Sequence, residues 1–202
     1  MTIMHSLIAT VGETPAVVTE CIDELAKEGI GISKVIMLYT KHTLPHYIAL
    51  KIDFKQGAYN GRMAFDGIEL PFDDIHNSRE SIIFRTMIYK AIRREQSNSE
   101  VHLLISGGRK SMVVDATLAA LAARLDHVYH VILPIGQGVL DSKFILASYN
   151  MLNYIEKDAP KELVDKIVEI CHPMLKGRGL IKIPLPRLDD DAINSIVKGM
   201  LL

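Results

Sequence analysis

Leu103 to Ala123 reads LLISGGRKSMVVDATLAALAA. Its first residues close an apolar run that begins at Val101, and from Met112 onward apolar residues come too densely for a helix that faces water on one side. A buried strand joined to a buried helix by a short glycine-containing loop is the βα unit of a parallel sheet covered on both faces. The junction holds more than a turn needs. Gly107 and Gly108 would suffice, yet Arg109 and Lys110 follow where the helix begins, at the dipole end that favours carboxylates over cations. Two cations there are unfavourable unless an anion joins them, and the free N–H groups of a helix N-terminus suit a phosphate. A glycine turn with two solvated cations is the competing reading.

The rest of the chain keeps the same rhythm. "IMHSLIAT" (3–10), "KVIMLYT" (34–40), the weaker "GIELPF" (67–72), "EVHLLIS" (100–106) and "HVYHVILPI" (127–135) read as strands, with helices over 15–27, 45–57, 78–94 and 110–125. The fold class is therefore α/β, a Rossmann-like doubly wound, mainly parallel sheet with helices on both faces. After Pro134 the rhythm loosens. "GQGVLDSKF" reads as a loop, 145–157 and 161–170 as helices, and "GLIKIPLP" as a strand that Pro184 and Pro186 confine to an edge. "DDDAINSIVKGM" closes the chain as a helix with an acidic first turn. The expected division is a core over 1–150 and a helix-strand-helix appendage over 151–202 on the same domain.

Composition narrows the function classes. The chain has 202 residues, 49% hydrophobic and 23% charged, which suits one globular domain with a real core. A net charge of -1 argues against a duplex DNA partner but leaves room for a local anion pocket. Cys21 and Cys171 have no CxxC partner and read as buried thiols in a reducing compartment. No run reaches the roughly 18 apolar residues of a membrane span, and no basic segment opens a signal peptide, so the expected location is cytoplasmic. Pro45 separates His42 from His46, and Asp73, Asp74 and His76 suit a turn and a helix cap. No metal and no cofactor are expected. "SGGRKS" is not a Walker A loop, "GQGVLD" and "GRGLIK" lack the third dinucleotide glycine, and no GxSxG elbow occurs.

In an open α/β sheet, ligands bind beyond the carboxyl ends of the strands where strand order reverses, usually between the first and fourth strands. The loop after the first strand is TVGETPAVVTE, Thr10 to Glu20. Thr14 before Pro15 has the chemistry of a cap followed by a helix-starting proline. Across a crevice, Thr10, Gly12 and Thr14 would offer N–H and hydroxyl donors, while Glu13 must turn away or pair with a cation such as Lys110. Ser106, Gly107, Gly108, Arg109, Lys110, Ser111 and Met112 would form the other wall. Lys41, and Lys176 with Arg178 in "KGRG", are further cations for the mouth, each also readable as surface.

These two stretches, TVGETPAVVTE and SGGRKSM, resemble the two signatures of the CRISPR-associated Rossmann-fold (CARF) family, over roughly residues 1–150. The resemblance implies a homodimer that binds a cyclic oligoadenylate, cyclic tetra-adenylate first, on its two-fold axis. The HEPN ribonuclease signature is absent and the tail is short for a fused effector, so the chain resembles the stand-alone ring nucleases. Such an enzyme needs no metal: a ribose 2′-OH attacks the adjacent phosphate and leaves a linear product with a 2′,3′-cyclic phosphate. The implied roles are Thr14 at the 2′-OH or phosphate, and Arg109 and Lys110 with the N–H groups of Gly107 and Gly108 on the phosphate. Lys176 or Arg178 would complete the catalytic set. Relatives often carry serine where this chain has Thr14, and no strong general base is evident, so turnover is expected to be slow. A non-catalytic sensor acting on a separate partner would use the same cradle. A helix-turn-helix regulator would need a basic recognition helix that the tail lacks, and a generic nucleotide-using Rossmann enzyme is the remaining alternative.

Overall fold

A computed structural model describes residues 3–132, 146–173 and 177–200. Strands β1 (His5–Thr10), β2 (Ile32–Tyr39), β3 (Ala64–Glu69), β4 (Glu100–Leu104) and β5 (Val128–Ile132) alternate with helices α1 (Ala16–Lys27), α2 (Leu44–Gln56), α3 (Ser78–Glu95) and α4 (Lys110–Ala122). A single 3-10 turn (Met151–Tyr154), α5 (Lys161–Cys171), β6 (Gly179–Lys182) and α6 (Asp190–Lys198) follow. The sheet runs β3-β2-β1-β4-β5-β6. Its first five strands are parallel and β6 lies antiparallel to β5, so strand order reverses between β1 and β4. The doubly wound architecture read from the sequence is the one observed.

Alternation along β1 shows why. Leu7 and Ala9 face one apolar layer and Ile8 the other, and all three are fully buried, as a strand covered on both faces requires. Helices α1, α2 and α5 cover the first face through Cys21, Leu25, Ile48 and Leu163. Helices α3 and α4 cover the second through Phe84, Ile88, Ala116 and Ala120, with Ile196 and Val197 of α6 packed against them. β1 and β4 pair in register from His5 with Glu100 to Ala9 with Leu104. Their C-terminal loops therefore leave the sheet side by side.

Several boundaries moved. β3 begins at Ala64 and ends at Glu69, because Pro71 has no N–H for the ladder. Of the expected helix over 145–157, Leu146 and Ala147 are helical, and a turn and the 3-10 turn follow in place of the rest; Ser148, Tyr149, Asn150 and Asn153 are weak helix formers. The "GQGVLDSKF" loop lies outside the described residues. Thr14 does not cap α1 with its side chain: Pro15 takes the cap position, and Thr14 gives only its carbonyl, to Val17 N. The described residues after 150 are built into the fold, with β6 extending the sheet, α5 packed on α2 and α1, and α6 packed on α4. No described helix is long and apolar enough to cross a membrane.

Candidate functional site

At the reversal the two glycine loops meet backbone to backbone. A Cβ on Gly12 would lie 2.8 Å from Gly108 N, and one on Gly107 would lie 2.0 Å from Thr10 O. Gly108 has φ +89°, and a side chain there would also strike Met112 Sδ at 2.7 Å. A substituent at Gly12 or Gly107 forces the loops apart, and one at Gly108 is strained by its positive φ. Thr10 Oγ1 donates to Gly107 O at 2.5 Å, fastening one loop to the other. Ser106 Oγ accepts from Val131 N at 2.6 Å and lies 3.1 Å from His130 Nδ1, fastening β4 to β5. Thr10 and Ser106 thus hold the loops, with their hydroxyls turned to protein partners.

Above this junction opens a cavity of about 390 Å³. Of the residues expected at the ligand, Gly12, Glu13, Gly108, Arg109 and Met112 line it. The remaining wall comes from Thr40, His42 and Thr43 after β2 and from Asp74 after β3. Lys110 is exposed in the first turn of α4 and makes no ion pair among the described residues. Ser111 is exposed beside it, and Thr14 is half-buried outside the lining. Lys41 is exposed and meets Asp73 at 3.7 Å.

Arg109 is already engaged. Its Nε donates to Asp74 Oδ2 at 2.5 Å and its Nη2 closes the pair on the same oxygen. The Arg109 hydrogen bond holds the Asp74 carboxyl below the usual carboxylate range, and Asp74 in turn raises the guanidinium further. Asp74 was expected to serve a turn or cap. It does accept from Ile75 N at 2.7 Å, but the cap of α3 is Asn77, which accepts from Glu80 N at 3.1 Å while Glu80 accepts from His76 N at 2.6 Å. This is a variant of the capping box in which the back bond goes to His76 N rather than to Asn77 N, and it leaves the other Asp74 oxygen for the cavity.

Glu13 pairs with His42 instead of Lys110. His42 Nε2 donates to Glu13 Oε1 at 3.1 Å, since a carboxylate only accepts; Nδ1 is then the basic nitrogen. The pair sits between the first cavity and a second of about 320 Å³, which shares Glu13 and His42 and is otherwise bounded by residues such as Pro45, Leu146, Tyr149 and Met151. The arrangement offers N–H groups and cations for an anion, a histidine polarised by a carboxylate for a proton, and an apolar recess alongside.

Arg178 does not line either cavity. Its Nη1 donates to Glu20 Oε1 at 2.5 Å and its Nε lies 3.4 Å from Glu24 Oε1. It anchors the entry to β6 onto α1. Burial raises the Glu20 carboxyl while Arg178 pulls it down. Lys176 lies outside the described residues. His42 and Asp74 are the site residues the sequence reading missed. The available signal was positional: each follows the carboxyl end of a strand, the rim at which such sheets bind ligands.

The family model described as CRISPR-associated protein NE0113 matches residues 14–195. The structure of Enterococcus italicus Csm6 bound to cyclic hexa-2′-fluoro-hexa-dAMP is similar to this chain with a TM-score of 0.54 and 14% identity, over 99% of this chain and 46% of that one. Can2 from Sulfobacillus thermosulfidooxidans in complex with cyclic tetra-adenylate matches 66% of this chain and 35% of its own, with a TM-score of 0.43 and 10% identity. The chain thus spans less than half the length of either protein. The likeness to Csm6 is one of fold. No curated protein matches the chain significantly.

Proposed function

Because the chain belongs to the CRISPR-associated protein NE0113 family, we propose that it receives a cyclic oligoadenylate at the strand reversal and cuts the ring slowly, without a metal ion. The observation that carries this reading is the placing of Arg109 at the start of α4, on the wall of a cavity floored by Gly12 and Gly108. Backbone N–H groups, the helix dipole and two adjacent cations there all favour a phosphodiester.

One protomer's cavity, about 390 Å³, is at the small end for a drug-sized ligand and holds part of a ring of four or six adenylates. Two chains about a two-fold axis would each grip half of the ring, so the proposed receptor is a homodimer. In this reading an adenine base enters the apolar recess beside Tyr149 and Met151, with its ribose toward His42.

In the proposed reaction His42 Nδ1 takes the proton of the ribose 2′-OH, with Glu13 stabilising the imidazolium on the opposite nitrogen. The 2′-oxygen attacks the neighbouring phosphorus in line. Arg109, Lys110 and the loop N–H groups stabilise the added charge on the phosphorane. The P–O5′ bond breaks, the 5′-oxygen takes a proton from solvent, and a 2′,3′-cyclic phosphate remains. Thr14 borders the site and keeps its proposed role of steering the sugar; Arg178 is replaced in the catalytic set by His42.

Product analysis tests this. Labelled cyclic tetra-adenylate held with the protein in excess chelator is expected to yield linear products ending in 2′,3′-cyclic phosphate. His42→Ala is expected to bind the ring as wild type does and to cut about a hundred-fold more slowly. Binding without any cleavage by the wild-type chain would replace the enzyme by a sensor that signals to a separate partner.

A further inference from the structure

At the opposite end of the sheet, three strands bring imidazoles and a carboxylate to one point. His5 opens β1 and Glu100 opens β4, directly paired in register. Parallel strands put paired residues on the same face, and the period of two puts His102 on that face as well. It is the face packed by α1, where alternation calls for an apolar side chain, yet His102 is fully buried.

The polar atoms divide into a converging set and a supporting set. His5 Nδ1 lies 3.1 Å from His102 Nε2 and 3.9 Å from Glu100 Oε2, and one ligating atom from each of the three residues falls within 4.8 Å of the others. Donors on a tetrahedral zinc ion with bonds of 2.0–2.1 Å stand about 3.3 Å apart, so little movement would close this triangle on an ion. Behind two of the three donors, His102 and Glu100, stands a partner. In the tautomer whose Nδ1 donates to Tyr129 Oη, 3.3 Å away, His102 Nε2 is the lone-pair nitrogen. His127 Nε2 donates to Glu100 Oε1 at 2.7 Å, which leaves Oε2 for the triangle. Lys182 Nζ, 3.1 Å from His127 Nδ1, lies behind this second layer. A ligand set whose rear atoms are held by hydrogen bonds is how proteins orient metal-binding imidazoles and carboxylates.

The geometry points to a divalent transition-metal site, taking zinc through His5 Nδ1, His102 Nε2 and Glu100 Oε2, with water in the fourth position. Two imidazoles and one carboxylate are a nitrogen and oxygen set that zinc accepts. His5 and Glu100 are part-exposed, at 21% and 35%, so an ion and its water can enter from solvent. The ion would clasp the N-terminal ends of β1 and β4, the two strands whose other ends carry the glycine loops. This site is independent of the cavity at the reversal and of the reaction proposed there.

The test is calorimetric. Tag-free protein stripped with a chelator, then freed of it, is titrated with zinc sulfate, and its thermal unfolding is followed with and without the ion. One zinc per chain is expected, with a Tm rise of about 5–10 °C at a hundred-fold excess of free zinc over its Kd. His102 is buried enough that its replacement can unfold the chain, so the exposed ligands carry the test. His5→Gln and Glu100→Gln are expected to remain folded and to bind zinc at least a hundred-fold more weakly, and Tyr129→Phe about ten-fold more weakly. The assignment is overturned if the wild-type chain takes up no zinc and shows no shift, or if His5→Gln and Glu100→Gln bind zinc as wild type does.

Discussion

An anion entering the cavity meets Arg109 already hydrogen-bonded to Asp74. The carboxylate keeps the guanidinium in place, and it also repels the incoming phosphate and competes for the same N–H groups. Asp74→Asn is therefore expected to tighten binding of the ring, roughly two- to five-fold, the scale of an exposed ion pair. Equilibrium titration of the variant checks this, and weaker binding would mean that Asp74 serves mainly to position Arg109. This partner was hidden in the sequence because 35 residues separate Asp74 from Arg109. The glycines were legible, since a glycine pair between an apolar strand and a helix has a local cause; the side-chain contacts across the cavity have none.

Among the elements, the β4 loop is the least tolerant. A methyl group on Gly107 would overlap Thr10 O, so Gly107→Ala is expected to cost about 3 kcal/mol, at the upper end for overpacking, as measured by urea unfolding. The entry to β6 rests on Arg178, which pairs with Glu20 and Glu24 of α1. Arg178→Ala leaves the buried Glu20 carboxylate without its cation and is expected to cost about 3 kcal/mol. Adding Glu20→Gln removes the stranded charge and should recover most of that loss. Recovery of both stability and cleavage by the double variant marks Arg178 as an anchor; recovered stability with no cleavage would return it to the catalytic set.

The end of α5 has a pH-dependent clamp. His172 Nε2 donates to buried Asp53 Oδ2 at 2.9 Å. Burial lowers the imidazole's affinity for its proton, but the Asp53 hydrogen bond and charge outweigh it, and the folded-state value is raised. A raised histidine binds its proton more tightly folded than unfolded. Its stabilisation is complete below the unfolded value near 6.5 and is lost as pH climbs through the folded one. Stability is expected to fall across that window, and His172→Gln is expected to flatten the profile. Strand and helix types were readable from periodicity here. The edges of β3 and the turn around Met151 were not, because Pro71 and a run of weak helix formers act only where tertiary packing leaves them room.

For the molecule as a whole, the βα repeat dictated the parallel sheet and the place of its reversal, since short right-handed crossovers leave few alternatives. The tail was less legible. β6 joins the sheet only through β5, about fifty residues earlier in the chain, and no local pattern encodes that choice. Under the proposed function, a cavity that holds only part of a ring predicts two chains per ligand. The most direct test of the account is therefore a calorimetric titration of cyclic tetra-adenylate, and in parallel cyclic hexa-adenylate, into the wild-type chain and the Arg109→Ala/Lys110→Ala variant. One ring per two chains is expected for wild type, with at least a ten-fold loss of affinity in the variant. No binding of either ring, or equal binding by both proteins, would contradict it.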